Sequence, residues 1–120
     1  MIYQRGKNQT PRIDLHGNKL YYNDHAQLHR LDGPAVEYIE GTKLWFNNNR
    51  HHRLKGPARE WSDGSKEWWV NDKLHRLDGP AREWANGDRS WWIDYKELTQ
   101  QQFERHPLVI FYRLTQGDMI

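Results

Sequence analysis

A chain of 120 residues can hold one domain with a modest core, and without cysteine it has no disulfide or thiolate chemistry to draw on. Its 18 Lys and Arg against 16 Asp and Glu leave a formal charge of +2, interleaved along the chain, unlike the basic stripe of a generic nucleic-acid binder. Met1 to Arg5 lacks the apolar stretch of a signal peptide and no apolar run approaches about 18 residues. The expectation is a soluble cytoplasmic protein with no membrane partner.

Aliphatic residues are scarce and seven Trp are present, so the core should rest on a few large flat side chains, each able to bury roughly 150–250 Å². Residues 1–10 are polar apart from Ile2 and Tyr3 and read as a tail or a poorly ordered edge strand. From Pro11 a degenerate repeat begins: Gly17-Asn18-Lys19-Leu20-Tyr21-Tyr22 resembles the later Gly64-Ser65-Lys66-Glu67-Trp68-Trp69, and a weak hairpin is expected near 12–23. Terminal repeats are often atypical because they cap the stack.

The organising motif follows three times: His29-Arg30-Leu31-Asp32-Gly33-Pro34-Ala35, His52-Arg53-Leu54-Lys55-Gly56-Pro57-Ala58 and His75-Arg76-Leu77-Asp78-Gly79-Pro80-Ala81. The copies are 23 residues apart, which marks a repeat protein. After each copy comes a hairpin pattern, expected near 35–47, 58–70 and 81–93. Ser62-Asp63-Gly64 suits a three-residue loop with Gly64 left-handed, and Gly41 and Gly87 hold the same place. That loop pairs Trp61 with Ser65, Glu60 with Lys66 and Arg59 with Glu67, and likewise Glu83 with Arg89 and Glu37 with Lys43. A two-residue loop would set Glu60 against Glu67. Asn71-Asp72-Lys73 reads as a second turn, and Asn47-Asn48-Asn49-Arg50 as a longer version of it.

The two-residue period then sorts side chains onto two faces. Tyr38, Trp61 and Trp84 share one face with Trp69 and with charged Arg59, Glu67 and Arg82. Trp45, Trp68 and Trp91 share the other with Ala35, Ala58, Ala81, Val70 and Ile93. The second stripe reads as core. The first is the one left for a partner, although both stripes can serve as packing alone.

Beyond Ile93 no fourth His-Arg arrives. Thr99 suits a helix N-cap, Gln102 its reciprocal third position, and Leu98 with Phe103 a hydrophobic staple. Pro107 should end or kink that helix. Leu108 to Thr115 keeps helical spacing, which favours a second helix, while Val109-Ile110-Phe111-Tyr112 would equally suit a strand. The expected fold is mainly β: an antiparallel meander of 23-residue hairpin repeats over 11–98, a tail or edge strand over 1–10, and a short helical cap over 99–120.

The unit Trp-Trp-Val-Asn-Asp-Lys-Leu-His-Arg-Leu-Asp-Gly-Pro-Ala-Arg-Glu-Trp-Ala-Asn-Gly resembles a MORN-like, or MORN-variant, hairpin repeat. It is similar to the His-Arg-x-Asp-Gly-Pro-Ala repeat proteins of phages, other viruses and bacteria, well over 29–98 and weakly over 11–28. The resemblance implies a twisted antiparallel meander serving as a binding or scaffold surface. Lys55 departs from the pattern where the other copies carry Asp.

Three kinds of chemistry are weighed on the motif. Equivalent His29, His52 and His75 lie two strands apart, about 9–10 Å, too far to share one zinc with ligands about 2 Å from it. No metal and no cofactor are expected. His, Arg and Asp in one motif are the residue types of a base, an anion clamp and an orienting carboxylate, but one active site does not need three copies, and no nucleophile motif or phosphate loop accompanies them. No catalytic residue is assigned. The structural reading is that His29, His52 and His75 with Asp32 and Asp78 close the crossovers, Gly33, Gly56 and Gly79 let them bend, and Pro34, Pro57 and Pro80 follow.

The functional expectation is a non-enzymatic binding module, a phage-type accessory protein that engages a protein such as a host factor. The partner-binding candidates are Tyr38, Trp61, Trp84, Arg59 and Arg82, with Arg30, Arg53 and Arg76; Trp, Tyr and Arg are the residues enriched in hot spots. Two readings stay open beside it: binding of a nucleotide or nucleic acid through Arg, His and Trp, and a structural place in a virion. An edge strand also leaves homo-oligomerisation open.

Overall fold

A computed structural model of the chain describes residues 9–116. Along them run β1 (Arg12–Ile13), β2 (Lys19–Leu20), β3 (Val36–Glu37), β4 (Lys43–Leu44), β5 (Phe46–Asn47), β6 (Arg50–His51), β7 (Arg59–Glu60), β8 (Lys66–Glu67), β9 (Trp69–Val70), β10 (Lys73–Leu74), β11 (Arg82–Glu83), β12 (Arg89–Ile93), β13 (Lys96–Leu98), α1 (Gln100–Glu104) and α2 (Pro107–Gln116). The fold is mainly β. Nine strands form one antiparallel meander in the order β1-β2-β3-β4-β7-β8-β11-β12-β13, and β5-β6 and β9-β10 form two side ribbons. The expected tail over 1–10 lies almost wholly outside the described residues. Among the described residues no helix is long and apolar enough to cross a membrane.

The hairpin register is the one that opposite charges select. Arg59 faces Glu67 and Glu60 faces Lys66, Glu83 faces Arg89, and Glu37 faces Lys43. The Trp61 amide donates to the Ser65 carbonyl at 2.9 Å and the Trp84 amide to the Asp88 carbonyl at 2.8 Å, closing three-residue loops. Gly64 and Gly87 stand at φ +96° and +98°, where a Cβ is strained. The weaker N-terminal hairpin forms as well, pairing Arg12 with Leu20 and Ile13 with Lys19.

Each repeat contains a second hairpin that its two-residue strands conceal in the sequence. Asn71 and Asp72 both have positive φ, 48° and 66°, as do Asn48 and Asn49, and Asp94 and Tyr95. Paired positive φ values are those of a type I′ turn, which matches the twist of the strands it joins. Lys73 therefore belongs to β10, and Asn47 and Arg50 are strand residues paired across the turn. The turn at Asn47 to Arg50 is not longer than its counterpart, contrary to expectation: Asn48 and Asn49 alone make the bend. Successive ribbons are tied together by equivalent bonds, from the Asn49 amide to the Leu28 carbonyl, Asp72 to His51 and Tyr95 to Leu74, at 2.8, 2.9 and 2.8 Å.

Alanine is used where neighbouring chains come closest. Ala35, Ala58 and Ala81 are wholly buried, and the Trp45 and Trp68 amides donate to the Ala58 and Ala81 carbonyls at 2.7 and 2.8 Å. After β13, Thr99 caps α1 by accepting from the Gln102 amide, and Gln102 returns the bond to the Thr99 amide. Pro107 opens α2, which is the helix favoured from the spacing. Phe103 and Val109 pack with Ile93, flanked by Leu77, Trp91 and Leu98. Two short helices span only one repeat. The second face is accordingly closed at Ile93 and partly at Trp91, whereas Trp45, Trp68 and Val70, expected in the core, are half-buried and border open grooves.

Candidate functional site

The repeated motif builds the same contact set each time. Arg30, Arg53 and Arg76 lay their guanidinium groups over Tyr21, Trp45 and Trp68, with 3.9, 3.9 and 3.7 Å to the ring centroids. Each Nη1 donates to the carbonyl of the motif proline, Pro34, Pro57 or Pro80. It also donates to a strand carboxylate, Glu37, Glu60 or Glu83, at 3.2, 3.3 and 3.1 Å. Nε adds Asp32 and Asp78 at 3.2 and 2.8 Å; Lys55 in the middle copy offers no carboxylate there. A Cβ at Gly33, Gly56 or Gly79 would come within 3.0, 2.7 and 2.9 Å of the guanidinium carbon, so a side chain there would push the arginine from its ring and its acceptors.

The motif histidines hold turns. His29, His52 and His75 accept through Nδ1 from the Asn48, Asn71 and Asp94 amides at 3.0, 3.1 and 3.0 Å, each the first residue of the next type I′ turn. An Nδ1 that accepts a hydrogen bond carries no proton of its own. Burial holds the His29 and His75 pKa values below their ordinary range, with Asp94 opposing at His75. Among the described residues no three His, Cys, Asp or Glu gather as a metal site. The eight candidate binding residues thus divide. Arg30, Arg53 and Arg76 are engaged inside the fold, and the other five share the opposite face.

On that face Tyr38, Trp61 and Trp84 stand in a row, one per hairpin, positioned by the strand pairing beneath them. Tyr38 and Trp84 are each 39 % exposed, and the Trp61 and Trp84 rings lie 5.8 Å apart. A second aromatic row runs through the ribbons: Phe46, His51, Trp69, Tyr95 and Trp92, with successive centroids 4.3 to 6.1 Å apart. Between the rows lie Arg59, near Trp61 and Trp69 at 5.1 and 5.9 Å, and Arg82, near Trp84 and Trp92 at 5.7 and 5.1 Å.

One carboxylate serves both arginines. Glu67, 2 % exposed, accepts from Arg82 Nε at 2.6 Å, from Arg59 Nη1 at 3.4 Å and from the Trp69 indole at 2.9 Å. Arg59 Nε is buried with no acceptor among the described residues. Beside Arg59 opens a cavity of about 300 Å³, lined by Tyr38, Glu40, Thr42, Leu44, Arg59 and Trp61. Hydrogen bonds from Thr42 and then Ser62 hold the Glu40 carboxyl below its ordinary pKa. Sequence reasoning places Glu67 on this face but not its burial, and it passes over Glu40, Leu44, His51 and Tyr95. The usable signal is the unequal filling of equivalent positions, Val36, Arg59 and Arg82 on one strand of the hairpin and Leu44, Glu67 and Ser90 on the other.

The motif side carries two grooves. One of about 670 Å³ runs between the first and second crossovers past Leu31 and Trp45. The other, about 630 Å³, runs past Leu54 and Trp68 to Tyr112 of α2. Leu31 and Leu54 are 70 % and 75 % exposed, while the equivalent Leu77 packs against the cluster under the cap. In comparisons with known proteins, no family model, curated protein or solved structure matches the chain.

Proposed function

We propose that the chain is a non-enzymatic binding module of the MORN-like hairpin-repeat type, and that its partner is a protein held on the face of Tyr38, Trp61 and Trp84. The observation that carries this reading is the row of half-exposed rings flanked by Arg59 and Arg82, each ring held at the end of a paired strand by the bond that closes its hairpin loop. Aromatic anchors beside arginine are the composition of a hot spot, and fixing their backbone where paired strands enter tight loops lowers the entropy lost on binding. A protein is favoured over a nucleic acid for two reasons. The motif arginines spend their hydrogen bonds inside the fold. The formal charge of +2, with basic and acidic residues interleaved, offers no basic face to track a phosphate backbone.

The test is a pulldown from bacterial lysate with the tagged chain and with a Trp61→Ala/Trp84→Ala variant, each with and without nuclease. The expected outcome is a protein captured by the wild type, lost with the variant and unaffected by nuclease. With the purified partner, affinity should change little between about 50 and 200 mM salt, where a phosphate-dominated contact would weaken steeply. Capture that disappears on nuclease treatment, or with that salt slope, would assign the face to nucleic acid instead.

A further inference from the structure

We propose that the cavity beside Arg59 is a carboxylate-binding pocket, which takes an Asp or Glu side chain from the partner protein. The inference rests on the reading of this face as a protein-binding surface and names the chemistry that the surface selects.

The repeat supplies its own template. Arg82 is strand-paired with Glu67 on the preceding hairpin, and its Nε donates to that carboxylate at 2.6 Å. One repeat earlier, Arg59 is strand-paired with Leu44 in the same way. Leucine has no acceptor. Arg59 Nε is accordingly left buried without a partner, a condition that is costly for a buried donor. Leu44 and Arg59 both line the cavity. The available carboxylate does not make up the deficit, because Glu67 is shared and meets Arg59 only through Nη1 at 3.4 Å.

A carboxylate is the group that fits. A guanidinium offers parallel N–H donors matched to two carboxylate oxygens, and a charge-assisted bond is stronger than one to a neutral amide. Tyr38 and Trp61, also in the lining, would contact the aliphatic stem that carries the acid. Nε–H is covered in the free protein, so the guanidinium turns into the cavity to meet the ligand, against the rings of Trp61 and Trp69. Glu40 at the same pocket works against a second negative charge. Its oxygens already accept from the Thr42 amide and the Ser62 hydroxyl, so it adds repulsion but is not a free acceptor competing for Arg59.

The probe is the peptide acetyl-Gly-Glu-Gly-amide, with the Gln peptide as control at matched ionic strength, titrated into ¹⁵N-labelled full-length protein. The arginine Nε–H and tryptophan indole resonances are followed together. The Glu peptide should move the Arg59 Nε–H downfield, toward the position of Arg82, and perturb the Trp61 indole; the Gln peptide should leave Arg59 unmoved. Glu40→Gln should tighten the Glu peptide about two- to fivefold. Leu44→Glu places the carboxylate in the chain itself. It should stay folded, shift Arg59 without any peptide, and no longer respond to the Glu peptide. Unfolding of Leu44→Glu under conditions where Leu44→Gln folds would overturn the proposal. So would a Glu peptide that moves indole signals while Arg59 stays still, although that result leaves the aromatic face standing as a binding surface. Equal responses to Glu and Gln peptides at Arg59 also overturn it.

Discussion

The two sides of the sheet treat arginine in opposite ways. On the motif side Arg30, Arg53 and Arg76 sit in three nearly superposable sites, each with a ring beneath it, a proline carbonyl and a glutamate. On the other side Arg59 and Arg82 occupy equivalent positions with unequal partners, one carboxylate between them and one buried Nε unpaired. A residue repeated with all its partners is explained by the fold it closes. A residue whose repeat partner is missing is not, and there a ligand has something to supply. Identical spacing therefore points to architecture in this chain, and departures from it point to the candidate site.

The sharpest way to break that comparison is to remove one ring from each side. Trp68 lies under Arg76, so Trp68→Ala strips packing and the stacked cation together and should cost about 3 kcal/mol. Trp84 is 39 % exposed, and Trp84→Ala should cost less than about 1 kcal/mol while weakening partner binding. Chemical denaturation of both variants checks the difference. Equal losses would make both stripes structural and move the binding site to the crossovers or an edge strand.

What was legible in the sequence follows the same division. Charge pairs such as Glu60 with Lys66 select the loop length and hence the register, because only one offset keeps opposite charges together. The capping box at Thr99 and Gln102 is likewise a local signal. The ribbon strands are not legible, since Trp69–Val70 and Lys73–Leu74 are too short to display a period. Nor is the burial of Glu67, which depends on Arg82, 15 residues later, reaching back across the strand boundary. The exposure of Leu31 and Leu54 was hidden because it depends on how many repeats the cap covers.

Within the candidate face the comparison sharpens at Glu67. Glu67→Ala would leave two guanidinium groups and the Trp69 indole without their acceptor. Both arginines are about a third exposed, so water offsets part of the loss, and a destabilisation of about 2 kcal/mol is expected. Glu67→Gln retains an acceptor and should lose less. If the alanine variant melts with the wild type, the arginines are hydrated in solution and the pairing contributes nothing to stability.

A smaller effect comes from the loops that set both faces. Nothing lies within 4 Å of a Cβ built on Gly64, whose φ is +96°. Gly64→Val should therefore cost about 1–2 kcal/mol through backbone strain alone. Gly64→Asn should cost less, because Asn tolerates the left-handed region. A valine variant as stable as the asparagine one would show that the loop relaxes to another turn type.

The smallest expected effect is a pH dependence centred on the motif histidines. His29 and His75 accept the Asn48 and Asp94 amides through Nδ1, a bond that protonation removes. Burial keeps the pKa of both rings below the ordinary imidazole range in the folded chain. The unfolded chain then binds these protons more readily than the folded one. The contribution to stability is full above about pH 6.5 and drains as pH falls below it, through the lower folded values. The melting temperature should stay flat from about pH 8 to 7 and decline from about pH 6.5 toward 5. His51 adds to the decline: burial first, then the nearby Arg59 charge, lowers its pKa, with Asp72 opposing. Replacing both rings in a His29→Asn/His75→Asn variant puts an amide oxygen near the Nδ1 position that does not titrate. Its melting temperature should fall less between pH 7 and 5 than that of the wild type, by about the share that His51 does not carry. If the variant keeps the full acid response, His51 is its source, and the crossovers on the motif side are indifferent to protonation.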